Sequence, residues 1–160
     1  LLPDARLYLF GRDVREHVHS DLRVTHLPTR RRIDPIYDAF VLEAGQDLVI
    51  VANHGLSLDT EHLAQLEGKG SCDLLMSPFN RYALPAVLGG IVAPGLEGLK
   101  TLIEATQPTH VVQTHDEAKH GTGLVPRLAK VDRFSPEMAE SLPWLKHRFI
   151  HITDYSPVSP

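Results

Sequence analysis

The chain has 160 residues, of which 42% are hydrophobic and 22% are charged, and its formal net charge is −4 at pH 7. This composition is typical of a globular domain with its own hydrophobic core. The acidic balance argues against nucleic acid as a partner, because binding to phosphate backbones needs clustered lysines and arginines. The sequence contains neither a bilayer-length apolar run nor a signal-peptide pattern. We therefore expect a cytoplasmic, soluble protein with no membrane partner.

The chain begins at Leu1 without an initiator methionine, so we expect it to be a piece of a longer protein. Its single cysteine, Cys72, excludes an intrachain disulfide and lies beside the apolar run 74–76. A buried, structural thiol is the expectation for such a residue. The length predicts one domain over residues 1–153, followed by a proline-rich tail over 154–160.

The first third of the chain predicts strands. Residues 48–52 and 36–43 flank a turn at Gly45, which indicates a hairpin. Two further strands are predicted at 7–10 and 22–27, and we expect all four to pair antiparallel.

The middle of the chain alternates helix and strand. Residues 58–66 predict a helix capped by Asp59 or Thr60, with His62 on its surface. Residues 72–76 predict a buried strand that is parallel to its neighbour. Residues 77–94 contain three prolines and two adjacent glycines, and we interpret them as a long functional loop.

The last third of the chain predicts further helices and strands. The apolar spacing of residues 94–104 predicts an amphipathic helix, and Ser135 and Pro136 are typical of a helix start. Other expected elements are a strand at 109–113, a short helix at 124–131 and a final strand at 149–153.

Histidines and carboxylates follow the strand at 109–113 directly. His115, Asp116, Glu117 and His120 occupy a loop that Gly121 and Gly123 make flexible. Imidazole and carboxylate are the ligand set for zinc, iron or manganese, and the same groups serve in acid–base catalysis. A solvated polar turn, in which Asp116 or Thr114 caps the next element, is the alternative interpretation.

Three segments in order resemble the C-terminal half of a metallo-β-lactamase-fold hydrolase. They are the hairpin strand ending in Ala52-Asn53-His54-Gly55, the buried strand ending near Pro78, and the strand ending in His115. The resemblance spans residues 37–131 and implies an α/β fold, half of an αββα sandwich whose mixed sheet has flanking helices. It implies that a missing N-terminal segment, or a second copy in a homodimer, covers the open sheet face.

The resemblance also implies a site. By this resemblance His115 would be the terminal metal ligand, and the turn with His54 would occupy the place of a second ligand. The loop after the strand adds His120 as a further candidate ligand and Asp116 as a candidate catalytic residue together with His115. A zinc or iron ion would then activate water against a small-molecule substrate such as an ester, lactone, thioester or phosphodiester.

Two departures favour a different class of function. Asn53 or His54 stands where the family has a bridging aspartate, and the family's main H-x-H-x-D-H motif has only the string 17–21 as a counterpart. That string lies too close to the hairpin and ends in Leu22, so we interpret His17 and His19 as an exposed pair. The alternative function is a non-catalytic binding or scaffold module with a protein partner. A Rossmann-like nucleotide binder would need a stronger glycine motif than Gly89-Gly90.

Two spatial expectations follow from these patterns. The segment 77–94 should form a wall of the site, over the same sheet edge as His115. His54 and His115 should converge at the ends of neighbouring strands.

Overall fold

A mixed β-sheet forms the body of the protein. The computed structural model describes residues 16–19, 21–28, 38–114 and 127–152. Within these residues the sheet has seven strands in the spatial order β1-β2-β3-β4-β5-β8-β10. The strands are β1 (Glu16–His19), β2 (Leu22–Leu27), β3 (Ala39–Ala44), β4 (Asp47–Val51), β5 (Leu74–Ser77), β8 (His110–Gln113) and β10 (Phe149–Ile150).

The pairing of the strands changes from antiparallel to parallel at β4. Strands β1 to β4 pair antiparallel, and the β3–β4 hairpin turns at Gly45, whose φ of 62° is the left-handed conformation that glycine adopts readily. Strands β4, β5, β8 and β10 pair parallel. The predicted hairpin and the predicted parallel strand are both confirmed. Strand β1 was not predicted, and the strand predicted at 7–10 lies outside the described residues.

Parallel neighbours need long crossovers, because a tight turn can join only antiparallel strands. Helix α1 (Thr60–Leu66) lies between β4 and β5, and helix α2 (Leu96–Thr106) precedes β8. Ile50, Leu75 and Val111 are opposite one another in the ladder and almost completely buried. They belong to one core cluster with Leu99 and Leu102 of α2, so this helix covers one face of the sheet.

A small second sheet replaces the predicted loop at 77–94. Strands β6 (Arg81–Ala83), β7 (Ile91–Pro94) and β9 (Lys130–Asp132) pair antiparallel in the order β7-β6-β9. The proline at 94 is tolerated because it ends an edge strand. Residues 130 and 131 belong to strand β9, so the prediction of a helix over 124–131 is wrong for these two residues.

Two helix starts differ in detail from the prediction. Helix α2 begins after Gly95, whose φ is 65°, and Pro94 belongs to β7 instead. Helix α3 (Pro136–Ala139) begins where predicted, but the Ser135 side chain does not cap its backbone. The Ser135 side chain instead forms a hydrogen bond with the exposed Glu137 carboxylate and lowers its pKa. Among the described helices, none is long and apolar enough to cross a bilayer.

The start of α1 depends on a histidine that the prediction placed on the surface. Asp59 accepts a hydrogen bond from the His62 backbone at 2.9 Å, and His62 Nδ1 accepts one from the Asp59 backbone at 3.3 Å. His62 Nε2 donates to the Pro28 carbonyl oxygen at 2.8 Å. His62 is 2% exposed rather than on the surface, and its side chain joins α1 to the end of β2.

Replacing His62 should destabilise the protein. His62→Ala removes half of the capping box and leaves the Pro28 carbonyl without its donor, so we expect the free energy of unfolding to fall by about 2–3 kcal/mol. Leu63→Ala is the matched control, because Leu63 is the next residue in α1 and is 46% exposed. Urea denaturation of both variants measures the difference. Equal losses would contradict this role for His62.

Cys72 is buried, as predicted, with 1% of its surface exposed. Burial raises the pKa of its thiol from 9.0 to about 11. The thiolate is the reactive form, so alkylation by iodoacetamide at pH 8 should be at least about 100-fold slower in the native protein than in urea. Equal alkylation rates in the native and the urea-unfolded protein would contradict this burial.

The raised pKa of Cys72 also affects stability. The free energy of unfolding falls as pH rises above 9.0, because the thiol of the unfolded chain ionises first.

Candidate functional site

The carboxyl ends of β4, β5 and β8 meet at one edge of the sheet, where α/β proteins commonly bind ligands. Beyond β4, the Ala52 backbone continues the ladder by donating to the Met76 carbonyl at 2.8 Å. A β-turn follows, closed by a 2.7 Å hydrogen bond from the Gly55 amide to the Ala52 carbonyl. Asn53 and His54 occupy the two corners of this turn, with Asn53 exposed and His54 half-buried.

Two prolines hold this turn in place. The φ of Gly55 is +75°, and a Cβ atom there would lie 2.6 Å from the Pro94 ring and 3.8 Å from Pro78. A Cβ on Gly95 would lie 2.7 Å from the Arg81 backbone nitrogen. We call Gly55, Pro78, Pro94 and Gly95 the proline–glycine junction. At this junction the paired ends of β6 and β7, at Arg81 and Pro94, form the base of the β6–β7 hairpin and pack against the turn that carries His54.

The end of β8 lies beside the end of β5. The Thr114 amide donates to the Ser77 carbonyl at 3.0 Å, so Thr114 lies at this same edge. His115, Asp116 and His120 themselves lie outside the described residues. The base of the hairpin is at the carboxyl edge, as the predicted wall requires, and its relation to His115 stays a prediction.

One part of the spatial prediction is wrong. Strand β5 lies between β4 and β8, so His54 and His115 do not follow neighbouring strands. Two strand spacings separate β4 from β8 by about 10 Å. The two imidazoles can meet only if the segments beyond the strand ends turn toward each other across β5. Their convergence stays a prediction.

Buried polar groups remain unsatisfied at this edge. The hydroxyls of Ser77 and Thr114 are buried and have no hydrogen-bond partner among the described residues. Buried polar atoms are usually paired, and the exceptions often mark places where a bound group or water completes the hydrogen bonding. The described residues form no cluster of three or more histidine, cysteine, aspartate or glutamate side chains.

A buried histidine–aspartate pair lies at the level of the same edge. His26 is opposite Phe40, and Phe40 is opposite Val51, the last residue of β4. His26 Nε2 lies 2.7 Å from Asp38 Oδ2, and the ring stacks on Phe40. Its other nitrogen has no hydrogen-bond partner among the described residues. The sequence does not reveal this pair, because Asp38 is 12 residues away and no short motif links the two.

The opposite edge of the sheet contains a cavity of about 260 Å³. Leu48 and Cys72, near the amino ends of β4 and β5, line it together with Gln107 at the end of α2. Lys69 also lines it, but this ammonium donates to Glu43 at 2.6 Å and to Thr25 at 3.2 Å. Because Lys69 is already paired, this cavity has fewer polar groups available to bind a ligand than the carboxyl edge has.

Comparison with known proteins finds neither a matching family model nor a matching curated sequence. Solved structures do resemble the chain. The CmlA β-hydroxylase E377D mutant has a TM-score of 0.50 at 13% identity, over 62% of this chain and 24% of its own. A protein from Thermotoga maritima, assigned as a Zn-dependent hydrolase of the metallo-β-lactamase superfamily, has a TM-score of 0.48 at 19% identity, over 71% and 50%. Human tRNase Z, short form, has a TM-score of 0.45 at 13% identity, over 63% and 39%.

The likeness to the CmlA β-hydroxylase shows a shared fold and nothing further at this identity. The described elements confirm the predicted α/β fold, in which a mixed sheet has flanking helices. The chain spans half or less of the length of each of these structures.

The proline–glycine junction can be tested with two glycines of nearly equal φ. Gly55→Ala places a methyl group against Pro94, whereas Gly68, with φ +77°, has open space around its Cβ position. Both substitutions incur the left-handed backbone penalty of about 1 kcal/mol. Gly55→Ala should therefore cost about 1–3 kcal/mol more than Gly68→Ala in denaturant unfolding. Equal costs would show that Pro94 does not constrain the turn.

Proposed function

We propose that this chain is the C-terminal part of a metal-dependent hydrolase domain of the metallo-β-lactamase type, with its site at the carboxyl edge of β4, β5 and β8. The observation that carries the proposal is the meeting of the Ala52–Gly55 turn, the proline–glycine junction and the Ser77–Thr114 contact at one edge. The shared fold supports this proposal, and the substrate is an ester, lactone, thioester or phosphodiester.

The proposed metal ligands are His54, His115 and His120, and His115 with Asp116 takes part in catalysis. The donor chemistry fits zinc or iron, which accept imidazole and carboxylate ligands. When bound, such an ion supplies Lewis acidity and lowers the pKa of water to about 7. The chain's own contribution is to present His54 from a hydrogen-bonded turn packed against Pro94 and to shield the site with the β6–β7 hairpin.

A non-catalytic binding or scaffold module is the second candidate. It is favoured by Asn53, a neutral side chain at the position where the family has a bridging carboxylate. A neutral amide cannot offset the charge of two metal ions, so a two-metal centre is disfavoured. The module would keep the fold and bind a protein partner at the same edge. The cytoplasmic location stays a prediction.

Metal content separates the two candidates. We expect the chain, purified without chelator, to contain a stoichiometric transition metal by elemental analysis. Zinc added to the metal-free protein should raise Tm by about 5–10 °C when free zinc is about 100-fold above Kd. His54→Ala and His115→Ala should each abolish both effects while costing little stability, because neither removes much buried apolar surface.

His110→Ala is the control for these variants, since His110 begins β8 at the opposite edge of the sheet. It should keep the metal and the Tm shift. A metal-free protein whose Tm does not respond to zinc would contradict the hydrolase and leave the binding module. If the metal stays bound in both His54→Ala and His115→Ala, the metal site lies elsewhere in the chain.

A further inference from the structure

Strand β9 lies at the edge of the second sheet. It pairs with β6 on one side, and no strand of the described residues pairs with its other side. Lys130, Val131 and Asp132 are all exposed, and Val131 keeps 39% of its surface accessible. Leu128, just before the strand, is also exposed. An accessible edge with apolar side chains is a template for adding another strand.

The sequence of β9 is self-complementary when it pairs antiparallel with itself. A two-fold axis through Val131 places Lys130 of one copy opposite Asp132 of the other, and the same contact recurs on the other side of the axis. The two Val131 side chains meet at the axis. Opposite charges and β-branched residues facing one another are stabilising cross-strand pairs. The complementarity depends on having opposite charges on the two sides of an apolar centre.

The existing contacts leave both charges accessible. Asp132 Oδ2 lies 3.3 Å from Arg81 Nη1 in an exposed pair, and 72% of the Asp132 side chain is accessible. Lys130 and Asp132 lie on one face of the strand and Val131 on the other, because side chains alternate. A partner's lysine would therefore join an Arg81–Asp132 contact that already faces solvent.

We propose that two copies of this chain associate through β9, which joins the two small sheets into one continuous sheet across a two-fold axis. None of the proposed metal ligands belongs to β9. The occupant is a second copy because the charge pattern of the edge complements itself. An unrelated strand from another protein is the competing occupant.

Charge reversal and charge exchange test the interface. Sedimentation equilibrium of the chain should show a reversible dimer whose fraction rises with concentration. Lys130→Asp puts like charges opposite each other twice and should weaken the dimer by about tenfold or more. The double variant K130D/D132K restores opposite charges across the axis but places a lysine beside Arg81, so it should recover part of the lost affinity. Val131→Glu should also weaken the dimer, because it places two carboxylates at the axis.

Leu63→Glu is the matched control, since Leu63 is an exposed apolar residue on α1 and should leave the dimer unchanged. Circular dichroism confirms that each variant is folded. A chain that stays monomeric at every concentration would overturn the proposal and would favour a strand from another protein as the partner of β9. A dimer that Lys130→Asp does not weaken, or that the double variant does not rescue, would also overturn it.

Discussion

The parallel pairing of β4, β5 and β8 is the constraint on which the rest of the structure depends. Parallel neighbours cannot be joined by hairpins, so α1 and α2 must cross from one end of the sheet to the other. The same geometry brings every carboxyl end to one edge. The Ala52–Gly55 turn, Pro78 and Thr114 lie together for this reason, although they are far apart along the chain.

At β4 and β5, the two faces of this sheet differ in how well they are covered. Ile50, Leu75 and Val111 form the row packed with the helical core, and all three are almost fully buried. Val51 and Met76, on the other face, are only half-buried. His26 shares that face, one row from the carboxyl edge, so a buried imidazole borders the region where the candidate site opens.

The sequence predicted elements that depend on near neighbours. Gly45 between two alternating strands is enough to specify the hairpin, and the short apolar run before Pro78 is enough to specify β5. Prediction failed where the deciding partner is distant. His62 is buried because Pro28, 34 residues away, accepts its hydrogen bond. Strands β6 and β7 have 3 and 4 residues, so each is too short for a period to appear. The place of β5 between β4 and β8 follows from the crossovers, which no local pattern encodes.

His54 and the segment after β8 are proposed to share one metal site. Two-dimensional NMR of the imidazole resonances during a zinc titration tests it most directly, because each ring reports separately. We expect the His54, His115 and His120 resonances to change together and to stop changing at one equivalent of zinc. A titration in which His54 does not respond while other histidines shift would contradict the shared site.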